Sequence, residues 1–251
     1  VEDLWVKSDR GYYAVKGVSF EVRSGEIFGI AGVAGNGQRE LVEALTGLRK
    51  IEKGRVVIVG KPLNDMDARS IAELGVAHIP EDRINTGLAP YLTLLENYLL
   101  RKYYKSEYRN GVFINYEKAS RELYEAIREY DIKTPGINVP VIMLSGGNMQ
   151  KLILARELSE KPRLVIAAHP TYGLDIATTE FVRRILVEER NKGAGILLVS
   201  EDLEEVLQLS DRVAVMYEGK ILGVFYTSRI NIEEVGLMMA GKVVKARQVS
   251  S

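Results

Sequence analysis

Two short segments of this chain contain the residue types needed to bind phosphate. Residues 32–39 follow the apolar run Ile27–Ala31 and read Gly-Val-Ala-Gly-Asn-Gly-Gln-Arg. Glycines let successive backbone N–H groups converge on phosphate oxygens, and a helix that starts just after them favours an anion at its N-terminus. Residues 144–148 read Leu-Ser-Gly-Gly-Asn and open a second helical pattern. There Ser145 can cap the helix while the glycines leave its N–H groups open.

The first segment departs from a complete phosphate-binding loop at its last two positions. The full pattern G-x-x-x-x-G-K-[ST] places a lysine on the β- and γ-phosphates and a hydroxyl on magnesium. Gln38 and Arg39 stand at those two places. Gln38 can still donate a neutral hydrogen bond, at a cost of about tenfold in affinity, whereas Arg39 removes a magnesium ligand and adds a cation. The retained frame consists of Gly32, Gly35, Asn36 and Gly37.

Read alone, neither segment decides between a binding site and plain structure. The first fits equally a glycine-rich turn that packs a strand on a helix and binds nothing. The second, taken by itself, is more often a simple helix cap or turn. The order and spacing of both segments, followed by the run 170–175, favour the binding interpretation.

The elements that would position these segments are short apolar runs alternating with amphipathic stretches. That alternation predicts an α/β fold with a largely parallel sheet. Between residues 91 and 140 the pattern changes to long helices rich in Tyr, Glu, Lys and Arg, which we interpret as a helical insertion. The predicted strands are 1–6, 27–31, 56–59, 76–79, 164–167 and 196–199, with a hairpin of 213–217 and 221–225; the predicted helices are 39–48, 93–102, 116–130, 177–191 and 203–209.

Composition argues against several classes of function. Lys plus Arg and Asp plus Glu both number 34, so no net charge attracts nucleic acid or an acidic membrane surface. No apolar run reaches about 18 residues. Cysteine is absent and the only histidines are His78 and His169, so disulfides and thiolate or histidine metal clusters are not expected. Because a strand pattern begins at Val1, we interpret the chain as a piece of a longer polypeptide; the alternative is a trimmed or disordered start.

The motifs in this order resemble the nucleotide-binding domain of ATP-binding cassette (ABC) transporters. Residues 144–148 resemble the signature motif, and residues 173–175 resemble the D-loop, which ends at Asp175. The resemblance runs from residue 1 to about 241. It is closest to the second, C-terminal cassette of fused double-cassette ATPases of sugar and nucleoside importers. Residues 79–83, 144–151 and 166–171 carry that closer match, and residues 110–116 resemble the nucleoside-importer branch.

This resemblance implies a fold and a division into domains. The fold is that of a P-loop NTPase (RecA-like), with a mostly parallel core sheet, an antiparallel β subdomain and an inserted α-helical subdomain. Residues 1–90 and 161–241 would form the nucleotide-binding core with its β subdomain. Residues 91–160 would form the helical subdomain that carries the signature motif, and residues 242–251 a loose tail.

The family's catalytic positions, carried over residue by residue, show a pattern of loss. Ala168 stands where the family has the magnesium-directing aspartate, and His169 where it has the catalytic glutamate. Glu81 replaces the Q-loop glutamine, and Glu201 replaces the switch histidine that contacts the γ-phosphate. A carboxylate at 201 would repel phosphate. Two alternatives stay open: His169 as a general base, and Glu81 and Glu201 as ordinary solvated acids.

In the family, each ATP lies between the phosphate loop of one cassette and the signature motif of its partner. The resemblance therefore implies that this chain completes a competent ATP site with Ser145, Gly146, Gly147 and Asn148. The loop, the Mg²⁺ and the general base of that site would come from the N-terminal cassette of the same polypeptide. The chain's own loop would bind nucleotide weakly, without the Mg²⁺ expected at the partner's site.

The resemblance also implies the surroundings of the chain. It predicts a peripheral position at the cytoplasmic face of the cell membrane, on permease subunits contacted near residues 91–104. An extracellular solute-binding protein would act indirectly, and nucleic acid is not a partner. Two other hypotheses remain: a non-catalytic module for dimerisation and permease docking, and an active cassette with unusual chemistry built on Arg39 and His169. The coincident losses count against the second of these.

Overall fold

A computed structural model describes residues 1–242, which divide into two units. The first unit comprises Val1–His78, Arg163–His169 and the described residues from Arg183 onward. The second unit comprises Ile79–Pro162 and Pro170–Val182. The domain boundaries predicted at residues 90 and 160 stay a prediction. The predicted loose tail lies, beyond Lys242, outside the described residues.

The helices and strands follow one another in the alternating order that the sequence predicts. The strands are β1 Glu2–Lys7, β2 Tyr13–Val18, β3 Ile27–Ala31, β4 Lys53–Arg55, β5 Val57–Ile58, β6 Lys61–Pro62, β7 Val76–Ile79, β8 Arg109–Asn110, β9 Phe113–Ile114, β10 Leu164–Ala168, β11 Gly195–Ser200, β12 Arg212–Tyr217 and β13 Lys220–Tyr226. The helices are α1 Gln38–Leu45, α2 Ala68–Glu73, α3 Leu94–Leu99, α4 Tyr116–Glu129, α5 Gly146–Leu158, α6 Ile176–Asn191, α7 Leu203–Leu209 and α8 Ile232–Met239.

Fully apolar strands lie at the centre of a six-stranded sheet with the order β13-β12-β3-β11-β10-β7. Every residue of β3 and β11 is buried, which is typical of parallel strands that are covered on both faces. These two strands pair in parallel, and β10 and β12 continue the parallel arrangement on either side. The edge strand β13 pairs with β12 in the antiparallel direction. This sheet confirms the predicted α/β class with a mostly parallel core.

Alternating side chains of the central strands supply two hydrophobic clusters. On β12, Ala214 and Met216 belong to the larger cluster, whereas Val213 and Val215 belong to the smaller one, as the two-residue period of a strand requires. The larger cluster includes apolar residues of α1 and of a separate antiparallel sheet with the order β2-β1-β4. The smaller cluster includes residues of α7 and α8. Both clusters hold β3 and the loop that follows it in place.

Helices with polar caps form most of the second unit. α3 begins at a capping box, in which Thr93 Oγ1 accepts from the Glu96 N–H at 3.2 Å and the Glu96 carboxylate accepts from the Thr93 N–H at 2.8 Å. α4 is capped by Asn115, whose side chain accepts from the Lys118 N–H at 3.2 Å. α5 is almost entirely buried from Met149 onward. The burial of α5 fixes the helix that carries the second glycine segment.

Several predicted boundaries differ from the structure for local reasons. The predicted helix 39–48 ends at Leu45, because Gly47 adopts a φ of 75° and lies too close to Ala68 N for any side chain. The predicted strand 56–59 shrinks to β5, since Val59 has a φ of 51°. The predicted helix 93–102 starts one residue later, because Thr93 serves as its cap. The short helices α2 and α8 were not predicted, although Asp67 and Asn231 cap them.

We expect the loss of either partner of the buried pair of Glu26 and Arg212 to be strongly destabilising. Arg212 Nε and Nη2 donate to the Glu26 carboxylate at 2.5 and 3.0 Å, and both residues are less than one-tenth exposed. Arg212→Met leaves a buried carboxylate without its cation, so the free energy of unfolding measured in urea should fall by about 3–5 kcal/mol. Adding Glu26→Gln should recover much of that loss.

The control is Arg23→Met. Arg23 pairs with Glu21 on the surface, where both side chains are more than half exposed, so the loss should not exceed about 1 kcal/mol. Equal losses for Arg212→Met and Arg23→Met would contradict the prediction.

Candidate nucleotide-binding and signature sites

The glycine loop between β3 and α1 keeps the backbone geometry of an anion site. Gly37 is the residue before α1, with a φ of 100°, and a Cβ there would lie 2.3 Å from the Ala14 carbonyl oxygen. Only glycine therefore fits at this position. No side chain caps α1, so the first N–H groups of the helix have no side-chain acceptor. Gly35, with a φ of 83°, is exposed and has open space around it.

Two amide side chains are bonded to the backbone of this loop. The Gln38 Nε2 donates to the Val33 carbonyl oxygen at 3.0 Å, and the Asn36 Nδ2 donates to the same oxygen at 2.9 Å. Gln38 is 5% exposed, and its Nε2 lies 2.4 Å from the position that a Cβ of Gly32 would take. Asn36 also accepts from the Glu218 N–H at 2.6 Å. Both amides thus donate to the backbone of the loop, and Asn36 links the loop to the β12–β13 turn.

The cation at the end of the loop is directed away from it. Arg39 Nε donates to Glu43 Oε1 at 2.8 Å, and its Nη2 lies 4.0 Å from the Asp9 carboxylate. Arg49 binds the same two carboxylates at 2.6 and 2.8 Å. The hydrogen bond from Arg49 holds the pKa of Asp9 below its usual range, and the bond to Glu43 raises the pKa of Arg39. Four charged side chains therefore neutralise one another beside the loop.

The end of β10 carries no carboxylate. Ala168 is buried, and His169 follows it with a φ of 44°, which is a strained conformation for a residue with a side chain. The His169 N–H donates to the Val199 carbonyl oxygen at 2.8 Å, and its Nδ1 accepts from the Glu201 N–H at 3.4 Å. The structure thus brings His169 and Glu201 together at the ends of β10 and β11. Glu201 itself is exposed.

The second glycine segment forms the open N-terminus of α5 in the second unit. Ser145 caps the helix, and its Oγ accepts from the Asn148 backbone N–H at 3.4 Å and from the Asn148 Nδ2 at 2.9 Å. Ser145 and Gly146 are exposed. Because the Ser145 hydroxyl only accepts in these bonds, its proton is available to an incoming oxygen. Asn148 is fixed in turn by the Lys133 N–H at 2.8 Å.

Asp175 lies next to this helix end. Its carboxylate accepts from the Thr178 N–H at 2.9 Å and from the Thr178 hydroxyl at 2.7 Å, and these bonds lower the pKa of Asp175. A Cβ on Gly147 would meet Thr178 Oγ1 at 2.9 Å and Asp175 Oδ2 at 3.6 Å. Glycine at 147 therefore permits the close approach of α5 to the start of α6. The second unit also contains Glu81, which is exposed.

The residues present fit a nucleotide phosphate better than they fit magnesium. The uncapped N-terminus of α1 and the left-handed glycines suit a phosphate group. Magnesium requires oxygen ligands, and Arg39 and Ala168 supply none at the two positions where the family has them. Within residues 1–242, no three His, Cys, Asp or Glu side chains come together as a potential metal site. We therefore derive no chemistry from a metal at this loop.

Sequence reasoning did not find three features of these sites. The network of Asp9, Arg39, Glu43 and Arg49 could have been suspected in part, because Arg39 and Glu43 stand four residues apart on a helix. The link between Asn36 and the β12–β13 turn joins residues 182 positions apart and leaves no local signal. The contacts of Arg83, which lies two residues after Glu81 at the Q-loop position, also join residues far apart in the sequence and leave no local signal.

Comparisons with known proteins identify the family. The sequence profile described as "ABC transporter" matches residues 15–172. The guanosine import ATP-binding protein NupO of Bacillus subtilis is 43% identical over 98% of this chain and 48% of its own length. The nucleoside import ATP-binding protein NupA of Lactococcus lactis is 40% identical over 96% of this chain and 48% of its own length. The chain thus spans about half the length of these curated relatives.

Solved structures agree on the fold. The ATP binding subunit of an ABC transporter superimposes with a TM-score of 0.77 at 22% identity, covering 96% of this chain and 98% of the other. A dimeric ATP-binding cassette bound to ADP and Pi gives a TM-score of 0.75 at 23% identity, covering 90% and 96%. None of the helices in the part of the chain that the structure describes is long and apolar enough to cross a membrane. The chain belongs to the ABC transporter family.

Proposed function

We propose that this chain is the ATP-binding cassette of an importer of a nucleoside or simple sugar, and that it acts as the half that donates a signature motif. The solute class is supported by relatives whose names specify guanosine and nucleoside import ATP-binding proteins, with ribose import among the others. The chain covers 48% of the first two relatives. That share is consistent with a second, N-terminal cassette in the same polypeptide as its partner.

The proposal depends on a difference between the N-terminus of α5 and the loop before α1. The N-terminus of α5 is exposed, capped by a serine that still has a proton to donate, and adjacent to Asp175. In the loop before α1, the Gln38 amide donates to the Val33 carbonyl oxygen and the Arg39 cation is paired with Glu43. Free donors at a helix end favour a working phosphate contact, whereas donors already bonded to the protein's own groups favour weak binding. We therefore assign a working phosphate contact to the N-terminus of α5 and only weak nucleotide binding to the loop before α1.

In the working site, ATP bound with Mg²⁺ on the partner's loop supplies the free energy of hydrolysis that drives the permease. This chain contributes neutral donors to that site: the N–H groups of Gly146 and Gly147 and the hydroxyl of Ser145. They stabilise negative charge on the terminal phosphate without bringing in a charged group. At the chain's own loop, Ala168 and His169 offer neither a metal ligand nor a carboxylate base, and Glu201 repels phosphate.

The assignment as an importer cassette also predicts contacts with permease subunits and an indirect role for a solute-binding protein. Residues 91–160 act as the helical subdomain, and permease subunits contact it near residues 91–104. Tyr91 and Tyr103 in this segment are 83% and 48% exposed, and aromatic side chains with a polar tip are common in protein interfaces. The solute-binding protein acts indirectly through the permease. The chain then lies peripherally at the cytoplasmic face of the membrane.

A second candidate function is a non-catalytic module for dimerisation and permease docking that binds no nucleotide. The contact of Gln38 with Val33 and its position beside Gly32 favour this candidate, because the amide that could donate to a phosphate is already bonded to the backbone of the loop. The two candidates differ in the affinity of the chain for ATP and in the effect of changes at Ser145.

We expect Ser145→Arg in the assembled transporter to lower ATP hydrolysis by about 100-fold, since it removes a preorganised donor and places a bulky cation over the phosphate position. Transport should fall in parallel. Ser106→Arg, at an exposed serine of the same unit, is the control and should leave both rates close to wild type. Unchanged hydrolysis in Ser145→Arg would rule out the donor role.

We expect the chain to bind ATP weakly and with the same affinity in the presence and absence of Mg²⁺, because the loop lacks oxygen ligands for the metal. Gln38→Lys with Arg39→Thr restores the charge-assisted bond and the hydroxyl. The affinity should then rise by about tenfold and become dependent on Mg²⁺. Calorimetric titration measures both. No heat of binding from the original chain would favour the second candidate.

We expect the isolated chain to hydrolyse ATP well below about 1 per second, the lower end of ordinary enzyme rates. The reason is that no carboxylate base or metal ligand follows β10 at Ala168 and His169. Phosphate release during incubation with ATP and Mg²⁺ measures the rate. A rate of that order or higher, abolished by His169→Ala, would instead support the hypothesis of unusual chemistry at His169.

A further inference from the structure

Arg83 is placed close to the signature motif by a single turn of π-helix. Asp82 caps that turn, because its carboxylate accepts from the Ile84 N–H at 3.0 Å and from the Asn85 N–H at 2.9 Å. The turn spans Arg83–Gly87 and follows Glu81, the residue at the Q-loop position. It directs the Arg83 side chain to α5, with Nη1 4.0 Å from the position of a Cβ on Gly146.

The guanidinium joins two segments that are far apart in the sequence. Arg83 Nε donates to Gln150 Oε1 of α5 at 3.1 Å, and Nη2 donates to the carbonyl oxygen of Tyr172. Gln150 is 1% exposed, and its Nε2 donates to the Pro170 carbonyl oxygen at 2.8 Å. Arg83 and Gln150 together therefore tie α5 to the segment that leads into Asp175.

The charge of Arg83 is not neutralised by an ion pair among residues 1–242. Burial lowers the pKa of the Arg83 guanidinium, and the nearby charge of Asp82 only partly opposes this effect. The Asp82 carboxylate is committed to its own turn, where it also accepts from Asn85 Nδ2 at 2.7 Å. Arg83 is therefore held by hydrogen bonds to neutral acceptors, the Gln150 amide oxygen and the Tyr172 carbonyl oxygen, which fix its geometry.

Gly146 and Gly147 lie next to the segments that this side chain connects. Arg83 Nη1 lies beside Gly146, while Thr178 and Asp175 lie beside Gly147. If α5 moved relative to the start of α6, the distance between the Gly147 N–H and Asp175 would change. Phosphate contacts lose effectiveness when their groups shift by about 1 Å. The alignment of the signature motif with Asp175 therefore depends on the connection through Arg83.

We propose that Arg83 is a positioning residue, which fastens α5 to the Pro170–Asp175 segment so that Ser145, Gly147 and Asp175 face the partner's ATP as one rigid surface. This inference rests on the proposed function. The planar guanidinium is required because two of its N–H groups point to two different acceptors at fixed angles. A lysine retains the charge and cannot bridge Gln150 and Tyr172 in this way.

The test compares Arg83→Lys and Arg83→Gln in the assembled transporter. We expect both to lower the kcat of ATP hydrolysis about tenfold or more and to leave KM within about twofold, because the partner's loop carries most of the ground-state binding. Arg121→Lys is the matched control: Arg121 is an exposed arginine of the same unit that pairs, among residues 1–242, only with Glu117 across one helical turn. Its kcat should not change.

Hydrogen exchange in the same assemblies gives a readout other than activity. The Met149 N–H donates to Ser145 and the Leu174 N–H donates to Thr171, at 2.9 and 3.1 Å. We expect exchange in peptides containing these two amides to accelerate together in both Arg83 variants, and not in Arg121→Lys.

Each other outcome overturns the inference in a recognisable way. Full activity in Arg83→Lys with loss in Arg83→Gln would mean that the charge contacts phosphate directly and the bridge is dispensable. Full activity in both variants would mean that Arg83 has no part in the site. Ser145→Arg, measured alongside, separates these results from failure of the proposed function: if it leaves hydrolysis unchanged, the signature-donor role itself is wrong.

Discussion

The first turn of an α-helix has backbone N–H groups that find no acceptor within the helix. Two helices of this chain begin with glycines at that turn or just before it, and the rest of the functional surface depends on how their N–H groups are used. At α5 the cap is Ser145, and the helix end stays exposed. At α1 no side chain caps the helix, and the Gln38 and Asn36 amides donate to the Val33 carbonyl oxygen of the preceding loop. The helix N–H groups are open at both ends, but at α1 the side-chain donors beside them are already bonded to the loop itself.

Electrostatics reinforces this difference. Arg39 is exposed and shares two carboxylates with Arg49, so it contributes little field to the loop. Arg83 is half-buried and has backbone and amide acceptors in place of a carboxylate. Arg39 therefore serves local structure on the surface. Arg83 retains its positive charge and fixed geometry beside the signature motif, where the proposed partner site requires precise alignment.

The periodic patterns of the chain predicted much of the fold. The strands 27–31 and 76–79 and the helix 203–209 have the predicted bounds, because each is a continuous apolar or amphipathic run with polar residues at its ends. The helix predicted to reach residue 48 stops at Leu45, since a close contact at Gly47 forces a left-handed backbone. Glycine in this conformation is a common local end of a helix, and α2, which the pattern did not predict, leaves no room for another residue type there.

The sequence by itself determines the composition of the two glycine segments. It also shows the missing lysine and hydroxyl of the first segment and the missing carboxylates at 168 and 169. They suffice to identify the family, because glycine and a helix start are local requirements of phosphate binding. Only the tertiary structure decided where the side chains point. Gln38 turns into the loop, Arg39 turns away to Asp9, and Arg83 reaches Tyr172. These directions depend on partners up to 89 residues away, which no local pattern encodes.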